Sequence, residues 1–233
     1  MKLQRLLSLI RQAVDQYEMI EEGDHIAIGI SGGKDSLTLL LGLAHLQKFY
    51  PKHFSLSAIT VDMGIDTMNL EPIKALCQEI QVPYEIVPTE IGKILFDIRK
   101  ETNPCSLCAK LRKGALNNKA LEMGCNKIAL GHHMDDILET LLMNMLFSGS
   151  PSPMTPLLRM KKFDMTLIRP MCLIRERELA SLAEVRSFIG QKKKCPYERA
   201  TNRSRMKSLL AEMEHINPEA CYSLWRCVEK LLS

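Results

Sequence analysis

The stretch from residue 24 to 41, DHIAIGISGGKDSLTLLL, constrains the fold more than any other part of the chain. Residues 26–30 form a short apolar run with β-branched side chains, which is typical of a buried strand. The leucines that follow continue without a helix breaker until Pro51, which predicts a buried helix of about 13 residues. The six residues between them, SGGKDS, therefore lie at a strand-to-helix turn, where backbone N–H groups and a helix N-terminus can hold an anion.

Strand-like and helix-like patterns alternate along most of the chain. Strands are predicted at 26–30, 54–61, 84–87, 127–130 and 165–168, and helices near 36–49, 70–80, 106–123 and 135–147. This alternation predicts an α/β fold with a doubly wound, mainly parallel sheet of about five strands. Ligands of such sheets bind at the carboxyl ends of the strands. SGGKDS, Asp62 and GHHMDD all fall there, so one site is expected to collect all three.

The two ends of the chain differ from the middle. Residues 1–24 predict an N-terminal amphipathic helix, because charged residues interrupt the apolar pattern at helical spacing and no small-residue cleavage site is present. Residues 25–174 form the predicted α/β domain, in which SGSPSPMTP at 148–156 is a loop. Residues 175–233 carry only helical patterns and a basic stretch, QKKKC, which predicts a helical C-terminal extension.

The composition is that of an ordinary soluble protein, with 46% hydrophobic and 25% charged residues. No apolar run approaches the roughly 20 residues of a membrane span, so a cytoplasmic protein without a membrane partner is predicted. In that reducing compartment, the eight cysteines are expected to be ligands, redox groups or core residues rather than disulfides. The net charge of +4 is small, so a polyanionic partner requires clustering of the basic residues.

SGGKDS has neither the Walker A spacing nor that of the dinucleotide-binding fingerprint. It matches the PP-loop, SGGxDS, of the N-type ATP pyrophosphatases. That resemblance implies a loop that folds round a pyrophosphate and contacts it through Ser31, Gly32, Gly33, Lys34 and Ser36. Asp35 would reach the phosphates only through a Mg²⁺ ion. The alternative is a structural glycine turn with exposed polar residues.

A second segment, GHHMDDILET at 131–140, resembles the GHxxDDxxET motif of PP-loop enzymes that modify tRNA. Gly131 would allow close approach to an adenylate, while Asp135 and Asp136 would cap the following helix, hold the nucleotide or its metal, or do both. His132 and His133 leave zinc open as an alternative to a loop histidine that hydrogen-bonds the nucleotide or its own turn. Adjacent histidines converge on one ion less easily than histidines four residues apart on a helix.

The end of the second predicted strand, ITVDMG, carries Asp62. The PP-loop resemblance implies that the backbone around Val61 to Met63 contacts adenine, and it adds Ile30 to the nucleotide site. The alternative is that Asp62 only caps the turn that follows the strand.

The stretch TNPCSLCAKLRKGAL places Cys105 and Cys108 in a C-x-x-C at the start of a predicted helix. A helix N-terminus favours thiolates, which suits metal ligands and redox thiols alike. A zinc site would need a second C-x-x-C or a histidine pair, and neither occurs at a standard spacing. Four isolated cysteines are expected to fill the core: Cys77, Cys125, Cys221 and Cys227.

Five segments occur in the order and spacing of the tRNA 2-thiocytidine synthetase family: MIEEGD at 19–24, SGGKDS, CSLCAKLRKGAL, NKIALGHHMDDILET, and IRP with the following IRERE. The resemblance implies an ATP-dependent sulfurtransferase with ATP, Mg²⁺ and a [4Fe–4S] cluster as cofactors. Cys105, Cys108 and Cys195 would hold the cluster and leave one iron open, with Cys172 as the reserve ligand. The family usually carries a second C-x-x-C at Cys195, where this chain has Glu198 in the fourth place.

The implied chemistry activates the C2 carbonyl of a tRNA base, an anticodon-loop cytidine. Its oxygen attacks the α-phosphate of ATP and expels pyrophosphate, and sulfur then displaces AMP. Lys34, Asp35 and Asp136 are the implied catalytic residues, and Arg112 would face the phosphates. Sulfur would come from a cysteine desulfurase or from sulfide, through the cluster or a cysteine persulfide. The tRNA, its modified nucleotide and a homodimeric state stay open.

A tRNA substrate needs a basic surface beside the site. Basic residues cluster in four places: Lys110, Arg112 and Lys113; Arg159, Lys161 and Lys162; Lys192 to Lys194; and Arg199, Arg203, Arg205 and Lys207. The group at 159–162 is expected to be only a solvated surface. Two other functions are alternatives: adenylation of a small molecule for sulfur insertion or amidation, and a nucleotide-binding sensor without turnover. The basic residues around Cys195 disfavour the first, and the C-x-x-C beside two nucleotide motifs disfavours the second.

Overall fold

A six-stranded sheet forms the centre of the computed structural model, which describes residues 2–65, 69–99, 104–185 and 202–232, without the side chains of 181–185. The strands are β1 (Asp24–Gly29), β2 (Phe54–Asp62), β3 (Tyr84–Pro88), β4 (Lys127–Ala129), β5 (Leu157–Met160) and β6 (Met165–Ile168). Their order in the sheet is β3-β2-β1-β4-β6-β5, and only the β5–β6 pairing is antiparallel. The predicted α/β class and mainly parallel sheet are confirmed.

The predicted number of about five strands was one too low, because β5 was missed. This strand has only four residues, LLRM, and is separated from β6 by the turn KKFD, in which Asp164 has a φ of +47°. LLRM does not alternate and contains no β-branched or aromatic residue, whereas the equally short β6, MTLI, contains Thr166 and Ile168. The pairing with β6 from Leu157↔Ile168 to Met160↔Met165 stabilises β5 at the edge of the sheet.

Helices join most of the strands, as predicted. They are α1 (Leu3–Gln16), α2 (Lys34–Leu46), α3 (Glu71–Glu79), α4 (Ile91–Lys93), α5 (Pro104–Glu122), α6 (Met134–Ser148), α7 (Glu176–Val185), α8 (Asn202–Ile216) and α9 (Ala220–Leu232). A π-helical turn, Ile94–Ile98, continues α4, and neither of the two was predicted. In the described ranges, no helix is long and apolar enough to cross a membrane.

The position of α2 is fixed by burial on two sides. Most of its residues are buried, and α1 packs across it with an apolar face at helical spacing that includes Leu6 and Ile10. Gly42 permits this contact, because a Cβ there would lie 2.4 Å from Ile10 Cδ1. The turn that starts α2 is therefore held on a rigid element.

Hydrophobic residues are buried on both faces of the sheet, which confirms the doubly wound arrangement. The larger core contains residues of α1, α2, α3 and α6, and the smaller one, which contains Ala120 and Cys125, lies under α5. Helices α8 and α9 add Met206, Leu210 and Trp225 to the larger core. The C-terminal helices thus pack on the α/β core, and the domain boundaries after residues 24 and 174 stay a prediction.

The isolated cysteines were mostly placed correctly. Cys77, Cys125 and Cys221 are buried, but Cys227 is exposed, so its predicted core position was wrong. In α9 the core positions are Cys221, Trp225 and Val228. A residue six places after Cys221 points away from that face of the helix.

The sheet order determines where the loops meet. β2 and β3 continue to one side of β1, and β4 and β6 to the other, so the strand order reverses between β1 and β4. Ligands of doubly wound sheets bind at such a reversal. The segments that follow β1 and β4, SGGKDS and GHHMDD, leave from neighbouring strand ends and meet there.

Candidate functional site

A cavity of about 390 Å³ opens at the carboxyl ends of β1 and β4. One wall is largely apolar and is formed by Ile59, Val61, Leu116, Ile128, Leu130 and Leu167. The rest carries polar side chains from the two predicted motifs and from α5: Ser31, Asp35, Ser36, Arg112, His132 and Asp136. An apolar wall with a few convergent polar groups, at this size, is typical of a small-ligand site.

The turn SGGKDS is held by its own hydrogen bonds. Ser36 Oγ donates to the carbonyl of Gly33 at 2.9 Å and accepts from Ser31 N–H at 3.2 Å. Gly32 has a φ of +76°, which a glycine adopts without strain. Gly33 is the N-cap of α2 and has no capping side chain, so the first N–H groups of a 13-residue helix remain for a ligand.

Lys34 lies beside the cavity rather than in its lining. Its ammonium is 3.1 Å from Asp35 Oδ1 and 3.4 Å from Glu176 Oε1. Burial alone would lower the pKa of Lys34, but these two carboxylates outweigh it and raise the pKa above its ordinary value. The side chain is therefore a fixed positive charge at the start of α2.

Two buried polar atoms in the cavity lack hydrogen bonds in the described part of the protein: Asp35 Oδ1 and Arg112 Nε. Asp35 Oδ1 is close to Lys34 Nζ without hydrogen-bond geometry. A buried polar atom without a hydrogen bond is costly, so both atoms are able to bind a ligand. A carboxylate oxygen suits a cation and a guanidinium suits a phosphate, so the residues fit a nucleotide with its Mg²⁺.

Gly131 brings the two motifs into contact. A Cβ at this position would lie 3.1 Å from the carbonyl carbon of Asp35 and 3.1 Å from the nitrogen of Ser36. Both neighbours are backbone atoms, which cannot move aside as a side chain can. The observed close approach of Gly131 is to the phosphate loop, and its predicted close approach to an adenylate stays a prediction.

Asp136 caps α6, as predicted. Its Oδ2 accepts from the N–H of His133 at 3.0 Å, while its own N–H donates to His133 Nδ1 at 3.4 Å, so the two residues form a capping box. Asp136 Oδ1 pairs with Arg203 Nη2 at 2.6 Å. The carboxylate thus lies between this cavity and α8.

The two adjacent histidines have different positions, one in the cavity lining and the other at the start of α6. His132 lines the cavity and accepts a hydrogen bond on Nδ1 from Arg169 Nε at 3.3 Å. Burial, with a contribution from Arg169, lowers the pKa of His132 to about 4, so the ring is neutral and carries its proton on Nε2. His133 is buried at the start of α6. The rings do not form a pair of ligands, and the described residues contain no group of three or more His, Cys, Asp and Glu side chains that could hold a metal ion.

Six residues predicted for the nucleotide site do not line the cavity: Gly32, Gly33, Lys34, Asp62, Met63 and Asp135. Asp62 Oδ1 accepts from Gly64 N–H at 3.0 Å, which is the turn-capping alternative. The carbonyl of Met63 accepts from Gly92 N–H at 2.8 Å. Asp135 turns away because it accepts from the guanidinium of Arg175 at 2.9 to 3.2 Å and from the N–H of Glu176 at 2.7 Å.

Sequence reasoning missed the role of Arg175. The residue is only 3% exposed, and its guanidinium bridges Asp135 at the start of α6 to Glu214 on α8, with a 2.8 Å contact to Glu214 Oε1. The family motif IRP followed by IRERE contains this arginine, but the motif does not reveal its partners. Arg175 joins the site's second motif to the C-terminal helices.

The C-x-x-C opens α5, as predicted. Cys105 is exposed, Cys108 is partly exposed, and Cys108 Sγ lies 3.7 Å from Met63 Sδ. One helical turn further on, Ala109, Arg112 and Lys113 line the cavity. Two thiols three residues apart in the first turns of a helix share one face, so they fit as two ligands of a cluster beside the nucleotide.

The third predicted ligand, Cys195, lies outside the described residues, as do Lys192 to Lys194 and Arg199. The reserve candidate, Cys172, is 0% exposed within the larger core, where burial raises its thiol pKa to about 12. A metal ligand must be a thiolate. Burial in the core disfavours Cys172 as a ligand, and the identity of the third ligand stays a prediction.

Some of the predicted basic groups are exposed to solvent, and others are paired with carboxylates. Lys110 and Lys113 are exposed on α5 near the cavity. Lys161 and Lys162 are exposed in the β5–β6 turn, at the opposite end of the sheet, in agreement with a solvated surface. Arg203 and Lys207 instead form ion pairs with carboxylates beside the phosphate loop.

Comparisons with known proteins agree with this site. Residues 4–208 match the model of a PP-loop domain family. The tRNA-cytidine(32) 2-sulfurtransferase of Geobacter metallireducens is 38% identical over 222 residues, which cover 94% of this chain and 86% of the relative. The protein of the same name from Geobacter sulfurreducens is 35% identical over 230 residues, 97% of this chain and 90% of the relative.

A solved structure has a similar fold. The U34-tRNA thiolase NcsA from Methanococcus maripaludis, with its [4Fe–4S] cluster, superimposes with a TM-score of 0.82 at 29% identity, over 98% of this chain and 78% of that one. The site is thus that of a PP-loop protein. The chain belongs to the family of the tRNA-cytidine(32) 2-sulfurtransferases. The resemblance noted from the sequence is confirmed.

Proposed function

We propose that this protein is an ATP-dependent tRNA sulfurtransferase that replaces the C2 oxygen of a cytidine, at position 32 of the anticodon loop, with sulfur. The observation that carries the proposal is the cavity in which the phosphate loop and GHHMDD meet one helical turn from the C-x-x-C. ATP activation and sulfur transfer require these two kinds of group side by side. The names and titles of the relatives support tRNA as the substrate.

The first step forms an adenylated base. The C2 carbonyl oxygen attacks the α-phosphate of ATP, and the bond between the α-phosphate and the bridging oxygen breaks, so that pyrophosphate leaves with its electron pair. The N–H groups at the start of α2 and the ammonium of Lys34 are placed to stabilise the negative charge that develops on the leaving group. Arg112, which also lines the cavity, is a further proposed contact of the phosphates.

Asp35 and Asp136 are the proposed ligands of Mg²⁺. Both line the cavity, and Asp35 has a buried oxygen without a hydrogen bond. A carboxylate cannot bind a phosphate directly without repulsion, whereas a bridging Mg²⁺ joins the two and neutralises charge. His132, neutral and with its proton on Nε2, is placed to donate a hydrogen bond to the nucleotide.

The second step replaces oxygen with sulfur. Sulfide attacks C2, the bond from C2 to the phosphorylated oxygen breaks, and AMP leaves with that oxygen. Cys105, Cys108 and Cys195 are the proposed ligands that would hold a [4Fe–4S] cluster, and the cluster would supply an iron to which sulfur can bind. The first two thiols precede the cavity-lining residues of α5 by one turn.

Several partners remain predictions. The exposed Lys110 and Lys113, with the basic residues around Cys195, are the proposed tRNA surface. The proposed sulfur donor is free sulfide, or a cysteine desulfurase whose persulfide sulfur is released as sulfide by a thiol reductant. A homodimeric state and a cytoplasmic location stay predictions.

Uridine at position 34 of the tRNA is a second candidate substrate, because of one similar protein of known structure. The solved relative with a TM-score of 0.82 acts on U34. The cytidine-specific relatives share 35% and 38% identity with this chain and the U34 thiolase shares 29%, so we place the cytidine first.

The proposed ATP chemistry is tested by tRNA-dependent release of pyrophosphate from anaerobically purified protein. Lys34→Ala and Asp35→Ala should fold normally and lose at least about 100-fold in rate, the magnitude found when one preorganised transition-state group is removed. Lys161→Ala is the matched control, because its side chain is exposed at the far end of the sheet. Wild-type rates in Lys34→Ala would remove the phosphate-loop assignment.

A further inference from the structure

We propose that Arg203 and Lys207, on the C-terminal helix α8, bind the β- and γ-phosphates of ATP and hold the leaving pyrophosphate. The inference rests on the proposed function, because it takes ATP as the nucleotide. The sequence had placed both residues in a tRNA-binding surface. Their positions in the fold indicate a role at the phosphate end of the nucleotide instead.

A second cavity of about 260 Å³ lies between α8 and the phosphate loop. It is lined by Arg203, Ser204 and Lys207 of α8 and by acidic groups of the site, among them Glu139 and Glu176. Asp35 and Asp136 line both this cavity and the nucleotide cavity, so the two are neighbours that share these carboxylates.

The apolar wall of the first cavity sets the direction of the nucleotide. Ile59, Val61 and Leu167 offer surface for a base and a ribose, and Ser31 and Asp35 mark the phosphate end. A nucleotide bound with its base against the apolar wall directs its phosphates past Asp35 and Asp136. The second cavity is the space that they would enter.

The basic side chains of α8 contact carboxylate oxygens at places where phosphate oxygens could bind instead. Arg203 contacts Asp136 Oδ1 through Nη2 at 2.6 Å and Glu139 Oε2 through Nε at 2.8 Å. Lys207 Nζ is 2.5 Å from Glu176 Oε2, while Lys34 is 3.4 Å from the other oxygen of the same carboxylate. Phosphate oxygens can replace these carboxylate oxygens without a change in the type of contact.

The charges predict how ATP would enter. Four carboxylates, Asp35, Asp136, Glu139 and Glu176, are paired with three cations, Lys34, Arg203 and Lys207. A free polyphosphate would meet excess negative charge, so it should enter with its Mg²⁺. Glu176, which links Lys34 to Lys207, would then give up both cations to the phosphates.

Helix α8 is held firmly enough to position these side chains. Met206 and Leu210 are buried in the larger core, and Glu214 is tied to Arg175. Arg203 and Lys207 are four residues apart and therefore share one face of the helix. That face is directed at the phosphate loop.

The test is calorimetric titration, in Mg²⁺, with AMP and with α,β-methylene-ATP, whose α–β bond does not hydrolyse. Lys207→Ala and Arg203→Gln should each weaken binding of the ATP analogue about 10-fold, the size of one lost charge-assisted hydrogen bond, and leave AMP within about twofold of wild type. Arg205→Ala removes the same charge from an exposed site on α8 that does not line the cavity, and should bind both ligands like wild type.

Lys207→Ala is the decisive variant, because Lys207 is largely exposed and its loss leaves the fold intact. Arg203→Gln keeps a hydrogen-bond donor near Glu139, which is only 5% exposed. Unchanged binding of the ATP analogue by both variants overturns the inference, and so does an equal loss for AMP and the analogue. If wild-type protein binds neither ligand, the proposed ATP chemistry fails instead, so the two failures are distinguishable.

Discussion

Substitution of Arg175 by alanine should be among the most destabilising changes near the site. The guanidinium donates to Asp135 at 2.9 and 3.1 Å and to Glu214 at 2.8 and 3.1 Å, and it is 3% exposed. Removing one partner of a buried ion pair costs about 3 to 5 kcal/mol, because the remaining charge stays buried. The side chains of Asp135 and Glu214 are 13% and 23% exposed, so water offsets part of this cost. We expect a loss of about 3 kcal/mol.

The assay is urea unfolding followed by the fluorescence of Trp225, the only tryptophan, which is buried in α9. For a chain of this size, 3 kcal/mol corresponds to a fall in Tm of about 6 to 12 °C. Arg177→Ala is the matched control: its side chain is 61% exposed, 3.7 Å from Glu214. It should cost less than about 1 kcal/mol. Equal losses for Arg175→Ala and Arg177→Ala would refute the view that Arg175 clamps α6 to α8.

Three further predictions concern the site. Gly131→Ala should weaken ATP binding in calorimetry because its Cβ would meet backbone atoms of the phosphate loop, whereas Gly114→Ala, whose Cβ meets nothing, should not. His132 has a folded-state pKa of about 4, below the ordinary value of about 6.5, so the free energy of unfolding should fall as the pH decreases from about 6.5 towards 4. His132→Gln should remove this pH-dependent loss of stability. Identical pH profiles of stability for the variant and the wild type would contradict the prediction. Cys172→Ala should keep the visible absorption of an anaerobically reconstituted cluster and Cys195→Ser should lose it, and the reverse pattern would transfer the third ligand to Cys172.

The sequence was sufficient for the parts of the fold and site that have local patterns. The strand, turn and helix around SGGKDS are adjacent in the chain, and alternation with helices predicts the parallel sheet that brings GHHMDD beside them. The capping role of Asp136 could also be predicted, because it depends only on the start of α6. These features need no knowledge of distant contacts.

What the sequence did not reveal depends on contacts between distant residues. Arg203 is 67 residues from Asp136, and Arg175 is 40 from Asp135 and 39 from Glu214. A basic residue on a helix has the same appearance in the sequence whether it contacts RNA, a carboxylate or solvent. Only packing of α8 on the core turns Arg203 and Lys207 towards the phosphate loop.

The most direct test of the account is mass spectrometry of nucleosides from a tRNA transcript that carries cytidine at position 32 and uridine at position 34. The transcript is incubated with anaerobically reconstituted protein, ATP, Mg²⁺ and sulfide, then digested. We expect 2-thiocytidine, with one AMP and one pyrophosphate released for each, and none when position 32 is changed to uridine. Thiolated uridine without 2-thiocytidine would contradict the cytidine assignment, and no thiolated nucleoside or ATP cleavage from protein with a full iron complement would contradict the account as a whole.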